Sequence, residues 1–478
     1  MQKDLFTGRK RELQDLKSLL GKKSASLVVI RGRRRIGKSR LVEEFAKGMP
    51  FFTFTGLPPD KDTDAKMQRK EFVRQLKLQF GLPGPETDDW GDIFTMLSMA
   101  LPKGRVILML DEITWMGSKD RTFLGKLKIV WDLYFSKMPN LILILCGSVS
   151  SWIEKNIISS TAFFGRISHK IHLRELSLVE CNQLLEKIGF RGSTQEKFMI
   201  LSLTGGIPWY IEQINSKLTA LENIRRLCFT PDGLLVDEFK NIFHDLFGKR
   251  TEIYGKIVNF LANGPADNSS IAENIHYVNS GQMSEYLENL VLAGYLGKEH
   301  TWSIKTGKES RISRYRIRDN FLRFYLKYMA PNLSKIERDT FRNISLYSIP
   351  SWETMMGLQF ENLVLNNRDL ILHALGVRPE EVVYDNPFFQ KKGLHKQGCQ
   401  IDYLVQTRFG NLFVLEVKFS RQPITLSIEE MQTKLNALQT PRGTAKLPVL
   451  IHVNGVTPEV EESGFFSRII DFDKLLYD

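Results

Sequence analysis

Residues 27–39 read Leu27-Val-Val-Ile-Arg-Gly32-Arg-Arg-Arg-Ile-Gly37-Lys-Ser39. The aliphatic run 27–31 predicts a short buried strand, Gly32 and Gly37 bracket a loop, and the apolar spacing over 40–46 predicts a helix. Strand, glycine-rich loop and helix in that order form a phosphate cradle, because the loop N–H groups and the first helical turn point to one place. The spacing from Gly32 to Ser39 is that of a Walker A loop. It places Lys38 to reach β- and γ-phosphates and Ser39 to bind Mg²⁺ through its hydroxyl. Gly32, Arg33, Arg34, Arg35, Ile36, Gly37 and Arg40 complete the expected nucleotide contacts.

Downstream, Val106-Ile-Leu-Met-Leu-Asp111-Glu112 is a second apolar run with two carboxylates at its end. Ligands of open α/β sheets bind at the carboxyl edge of the strands. Asp111 is therefore expected to bind Mg²⁺, directly or through water. Glu112 is placed to orient or deprotonate an attacking water, the bland alternative being a solvated strand-end carboxylate. Residues 141–146 are a third such run, and continuous apolar strands are those of a parallel sheet covered on both faces.

The 478 residues exceed one ordinary core and predict two to four domains. An apolar fraction of 42% and a charged fraction of 25% are those of a globular chain. No run approaches the roughly 20 apolar residues of a membrane span, and residues 1–6 hold no apolar signal core. Cys146, Cys181, Cys228 and Cys399 lie far apart without a CxxC pair, which argues against a zinc site or disulfide framework and for a reducing cytoplasm. The charge of +12, from 66 basic and 54 acidic residues, permits attraction to nucleic-acid phosphates without requiring it.

The pattern divides the chain into an α/β core over 1–172 and a mostly helical segment over 173–245. Three helices and a hairpin follow over 246–330, then a connector over 331–350 and a last α/β unit over 351–478. Internal repeats and low-complexity tracts are absent. The helices expected at 253–262, 271–277 and 280–293, with a hairpin at 295–317, suggest a winged helix. Its third helix carries Glu285 and Glu288 and no Lys or Arg, which argues against a base-reading helix and for a structural or relay role. Lys305, Lys308, Arg311, Arg314 and Arg316 on the hairpin could still touch a phosphate backbone.

In the last unit, the strands expected at 400–405 and 412–419 are joined by a Gly410-Asn411 turn. A hairpin centred on Phe409 sets Asp402 across from Glu416, and alternation puts Glu416 and Lys418 on one face. Two carboxylates suit a divalent metal through hard oxygen donors, and a nearby ammonium can orient water or offset developing charge. The same three residues would also make an ordinary salt-bridged surface.

Three further segments carry a resemblance. Phe6-Thr-Gly-Arg-Lys-Arg-Glu-Leu13, Leu143-Ile-Leu-Cys-Gly-Ser148-Val-Ser-Ser-Trp152 and Gly206-Ile-Pro208, with the Walker loop, resemble the archaeal-type P-loop ATPases of the AAA+/STAND group over about 1–245. The resemblance implies that Phe6, Gly8 and Arg9 lie near the adenine, that Ser148 senses the γ-phosphate and that Pro208 belongs to the turn closing a lid. It offers Arg166 as a trans-acting finger, a surface arginine being the alternative. Asp402 followed by Glu416-Val-Lys418 resembles the PD-(D/E)xK nucleases. That likeness adds Glu361 on a preceding helix and Gln432 on a following one, over about 351–455. The arrangement looks like the domain of unknown function often found behind archaeal-type ATPases.

The expected fold is thus α/β: a P-loop NTPase parallel sheet with a helical lid, a winged helix and a restriction-endonuclease-like α/β domain. The expected activity is ATP hydrolysis with Mg²⁺, controlling a metal-dependent nuclease that acts on nucleic acid, DNA first, in genome maintenance or defence. The alternative is a nucleotide-gated signalling protein whose nuclease-like domain is inert. A transcription regulator ranks third because of the acidic third helix. A nucleotide-dependent homo-oligomer is a further expectation, and a membrane partner is not expected.

Overall fold

The computed structural model describes residues 5–58, 62–81, 87–117, 119–148, 150–247, 251–278, 281–393, 397–425 and 427–477. The chain forms two compact units. One is Met1–Arg174 with Ile242–Lys249 and Leu292–Gly294; the other is Glu175–Asn241, Arg250–Val291 and Tyr295–Asp478.

The first unit is built on five parallel strands, β1 (Ser26–Arg31), β2 (Phe51–Thr55), β3 (Val106–Asp111), β4 (Leu141–Gly147) and β5 (Ile167–His172), in the order β2-β3-β4-β1-β5. The three aliphatic runs of the sequence are the three central strands, buried almost throughout, as a sheet covered on both faces requires. The outer strands β2 and β5 mix Thr, Ser, His and Lys with apolar residues and are partly exposed. An edge strand tolerates that composition, which is why apolar runs alone do not reveal it. One face is filled by an aromatic cluster in which Phe54 stacks on Phe72 at 4.3 Å and Trp90 meets Phe72 edge-on at 5.3 Å. The strand order places β4 between β1 and β3, so the residues just beyond these three strands share one carboxyl edge.

The second unit opens with helices Leu178–Lys187, Thr194–Thr204 and Ala220–Cys228. The first and third start with capping boxes, Ser177 with Glu180 and Thr219 with Glu222. The Thr194–Thr204 helix is buried from Lys197 to Thr204, and its Phe198 packs against Phe360, Phe419 and Phe472 at 5.4, 5.0 and 5.6 Å. Helices Thr251–Leu261, Asn268–Asn274 and Gly281–Leu292 precede a hairpin of β6 (Leu296–Trp302) and β7 (Glu309–Ile317), with Ala266 bridged to Tyr315. Residue 280, where the third helix was expected to begin, lies outside the described residues. Within residues 331–350, expected as a connector, Ile336, Phe341 and Leu346 are buried.

The second sheet is mixed, in the order β12-β11-β10-β9-β8. Strands β8 (Val382–Gln390), β9 (Cys399–Thr407) and β10 (Asn411–Lys418) form an antiparallel meander; β11 (Ala445–His452) and β12 (Arg468–Asp471) run parallel to β10. The Ser427–Ala437 helix makes the crossover from β10 to β11 and sets Met431 and Leu435 into a core with Leu404, Leu412, Val414 and Leu450. Strand β8 contains Pro387 and a register shift between Asn386 and Phe388, which obscure its alternation. It lies at the sheet edge, where a missing N–H is tolerated.

Trp302 and Ile304 of the hairpin join the same core, and Trp302 Nε1 donates to Gln406 Oε1 at 2.6 Å. That packing corrects the view of the hairpin as a row of five basic groups for a phosphate backbone. Arg316 is buried and paired with Glu299 at 2.9 Å, and Arg314 donates to Gln400 at 3.2 Å and lies over the Phe389 ring. Lys305, Lys308 and Arg311 remain exposed. Among the described residues, no helix is long and apolar enough to cross a membrane.

Candidate functional site: a phosphate loop and a buried carboxylate face

The loop after β1 folds as its glycines dictate. A Cβ on Gly32 would stand 2.4 Å from the Leu173 carbonyl oxygen, so only glycine fits there. Gly37, the residue before the Lys38–Ala46 helix, has φ 89°, a left-handed conformation that glycine adopts without strain. Lys38 Nζ donates to the Gly32 and Arg33 carbonyls at 3.0 and 3.1 Å, so its ammonium lies inside the loop. Ser39 Oγ donates to Asp111 Oδ2 at 2.7 Å. This contact joins the first turn of the Lys38–Ala46 helix to the end of β3 and brings together a hydroxyl and a carboxylate, hard oxygen donors that fit Mg²⁺.

The remaining loop residues have distinct places. Arg33 and Ile36 are buried, Arg34 lies 5.7 Å from the Trp115 ring centroid, Arg35 is left-handed at φ 69°, and Arg40 is exposed 3.5 Å from Glu43. Gly8 and Arg9 are both left-handed, at φ 69° and 59°, and Arg9 Nη2 donates to the Ile36 carbonyl at 3.1 Å. The segment holding half-buried Phe6 thus braces the phosphate loop from behind through Arg9.

Glu112 sits at φ 48° before the Ile113–Met116 helix. Its Oε2 accepts from Ser148 Oγ at 2.9 Å and from Ser148 N at 3.3 Å. Burial, with Asp111 beside it, raises the Glu112 carboxyl above the usual range, opposed by Lys38 and Ser148. A carboxylate pushed upward accepts a proton more readily than an ordinary one, and the two Ser148 donors fix its orientation. Cys146, on the strand leading to Ser148, is buried, and that burial pushes its thiol upward. All four cysteines are buried and none is in a disulfide.

Arg166 makes a two-pronged ion pair with Asp132, Nε to Oδ1 at 2.7 Å and Nη2 to Oδ2 at 2.9 Å, and this pair is the main reason that the Asp132 carboxyl falls to about 2. A trans-acting finger would have to leave that partner. Pro208 is in the second unit, at the start of the Pro208–Glu212 helix, after a Gly206 whose Cβ would lie 2.3 Å from the Leu176 carbonyl oxygen.

The second cluster belongs to the mixed sheet. The pairs Leu412–Gln406, Phe413–Val405, Val414–Leu404 and Leu415–Tyr403 centre the hairpin on Phe409 and bring Asp402 to the level of Glu416. Asp402 Oδ2 accepts from Val417 N at 2.9 Å. Burial raises the Asp402 carboxyl to about 6, helped by the nearby Glu361 on the Trp352–Asn366 helix. Burial and Asp402 raise Glu416 to about 7, and burial also raises Glu361. These three carboxyls are therefore electrostatic neighbours.

The ammonium groups are arranged differently from expectation. Lys418 is ion-paired with Glu430 at the surface, and Lys434 is ion-paired with the buried Glu416. Gln432 is exposed and donates to Asn436 on its own helix at 3.1 Å, so the structure does not bring it to the carboxylates. Lys434 was absent from the sequence reading. It adjoins the buried Leu435 and lies near the apolar stripe of Met431, Leu435 and Leu438, a helical periodicity that points inward. No group of three His, Cys, Asp or Glu among the described residues is set to hold a metal ion. Two carboxylates nonetheless fit Mg²⁺, which keeps several of its waters.

Comparison with known proteins bears on the part of the chain that holds the first site. A family model described as an ATPase domain predominantly from Archaea matches residues 6–214. An uncharacterized protein of Methanocaldococcus jannaschii, MJECL04, is 25% identical over 339 residues, covering 70% of this chain and 72% of that protein. The Walker-type ATPase paby2304 of Pyrococcus abyssi shares the fold at a TM-score of 0.50 and 16% identity, over 67% of this chain and 96% of that one. The chain thus carries an ATPase domain of the archaeal type.

Proposed function

We propose that the chain is an ATP-hydrolysing switch controlling a metal-dependent nuclease-like domain that acts on nucleic acid, with DNA the expected polymer, in genome maintenance or defence against mobile DNA. The observation that carries the nuclease half is the gathering of the buried Glu416 with the half-buried Asp402 and Glu361 on a meander–helix–strand unit. Desolvated carboxylates beside one another are costly unless a cation or protons neutralise them. Their gathering in one place supports a site for a divalent ion and a phosphodiester.

In the ATPase half, Lys38 exchanges the Gly32 and Arg33 carbonyls for β- and γ-phosphate oxygens. Glu112, oriented by Ser148, takes a proton from the attacking water. Ser39 and Asp111 in one site, and Asp402 and Glu416 in the other, would hold Mg²⁺, which neutralises charge on phosphate oxygens and makes water more acidic. The three helices and hairpin act as a winged helix that supports the carboxylate sheet, since Trp302 and Ile304 lie in its core.

The test is incubation of the full chain with plasmid, single-stranded DNA and RNA in Mg²⁺ or Mn²⁺. Cleavage lost in Asp402→Asn but not ATP turnover, and ATP turnover lost in Lys38→Ala, is the expected result. Retained ATP turnover with every polymer left intact supports a second reading, a nucleotide-gated binding protein with an inert domain. One observation favours that alternative: Glu416 already has a counter-ion in Lys434.

A further inference from the structure

Two ion pairs cross between strand β10 and the helix above it. On the strand, Glu416 and Lys418 are two residues apart and share a face; on the helix, Glu430 and Lys434 are four apart and share another. The pairs formed are Glu416 with Lys434 and Lys418 with Glu430. The two lysines are not equivalent. Glu416 is 6% exposed, and its partner Lys434 has a side chain 26% exposed. Lys418 and Glu430 have side chains 36% and 54% exposed.

We infer that Lys434 is the resident counter-ion of the Asp402–Glu416 face, that it competes with a divalent cation for Glu416, and that once displaced it is the ammonium available to a phosphate oxygen of the substrate. This assignment rests on the metal-dependent reading of that face. It removes Lys418, the lysine singled out by the Glu-x-Lys spacing, from the site and ties it to Glu430. The physical reason is that one carboxylate cannot give full stabilisation to an ammonium and a divalent cation at contact distance, since the two cations repel each other. Entry of the metal therefore weakens the Lys434 pair and favours its displacement.

The experiment measures Mn²⁺ binding by calorimetry to the nucleotide-free full chain in an Asp111→Asn background, which silences the ATPase cation site. At pH 9, Lys434→Met is expected to bind Mn²⁺ about tenfold or more tightly, equivalent to about 1.4 kcal/mol. Lys434→Arg, which keeps the charge, is expected to stay near the parent affinity, and Lys418→Met within about twofold of it. Thermal melting establishes that each variant is folded, and the arginine variant keeps the test valid should the methionine variant unfold: a large gain in its affinity overturns the inference. Parent binding that is stoichiometric, lost in Glu416→Gln and unchanged in Lys434→Met overturns the counter-ion role but leaves the metal reading intact. No stoichiometric Mn²⁺ in the parent or in Lys434→Met overturns both.

Discussion

Replacing Ser148 with alanine tests the assignment of Glu112 as the base. Glu112 Oε2 accepts one bond from the Ser148 hydroxyl at 2.9 Å and a longer one from Ser148 N at 3.3 Å. The mutation removes the shorter. A hydrogen bond to a charged group contributes roughly 1.5–3 kcal/mol, and one pH unit corresponds to about 1.4 kcal/mol. The hydroxyl bond stabilises only the ionised carboxylate, so its loss raises the Glu112 pKa further, by about one to two units. The base is active when ionised, so the acid limb of kcat for ATP hydrolysis moves to higher pH by that amount. The assay is steady-state ATP turnover from pH 5 to 9 at saturating Mg·ATP, with Glu112→Gln expected to be inactive throughout. An acid limb that stays in place or moves to lower pH in Ser148→Ala, or one that survives in Glu112→Gln, refutes the assignment.

Gly32→Ala should destabilise the first unit by roughly 1–3 kcal/mol, because the added Cβ meets the Leu173 carbonyl oxygen at 2.4 Å; denaturant unfolding measures it, and an unchanged midpoint contradicts the close approach. Asp402 and Glu416 have carboxyls raised in the fold, to about 6 and about 7, so their protonated forms stabilise it. That contribution is complete below the unfolded values near 4 and is lost as pH rises to 7. Metal-free melting temperature should fall over this window, and Glu416→Gln should flatten the fall; a parent curve that rises from pH 4 to 7 with no change in the variant sinks the prediction. Arg316→Met should cost several kcal/mol in the second unit, since it strips a buried partner from Glu299 and a 2.6 Å bond from Asn362. The loss is held toward about 3 kcal/mol because Arg368 still reaches Glu299 at 2.8 Å. Lys308→Ala on the exposed part of the hairpin should stay within about 0.5 kcal/mol.

The phosphate loop was legible because each of its demands is local. Gly32 and Gly37 answer backbone needs, and Lys38 and Ser39 follow at a spacing set by one turn of helix. The central strands were legible for a similar reason: covered on both faces, they read as unbroken aliphatic runs. What stayed hidden depends on neighbours remote in sequence. Strands β2, β5 and β8 lie at sheet edges, where one flank has no strand ladder among the described residues and composition is weakly constrained. Arg316 resembles every other basic residue of its hairpin. Only the arrival of Glu299 and Asn362 makes it a buried structural group.

The register of the β9–β10 hairpin was readable for a local reason, the Gly410-Asn411 turn, and it correctly brought Asp402 level with Glu416. The lysine was not, and the energetics explain why. On sequence alone, Glu430 and Lys434 form an i,i+4 helical pair, and Glu416 and Lys418 form a same-face strand pair. The helical pairing contributes only about 0.2–0.5 kcal/mol, and two exposed groups of opposite charge on one strand contribute roughly 0–1 kcal/mol. Leaving the buried Glu416 carboxylate without a close counter-ion costs several kcal/mol. Lys418, half-exposed and two residues along the same strand, can satisfy its charge at the surface with Glu430; Lys434 enters from the covering helix, along the side lined by Met431 and Leu435. The larger desolvation cost therefore decides the pairing. A motif defined by spacing along one strand names Lys418, whereas the charge that Glu416 requires comes from the layer above.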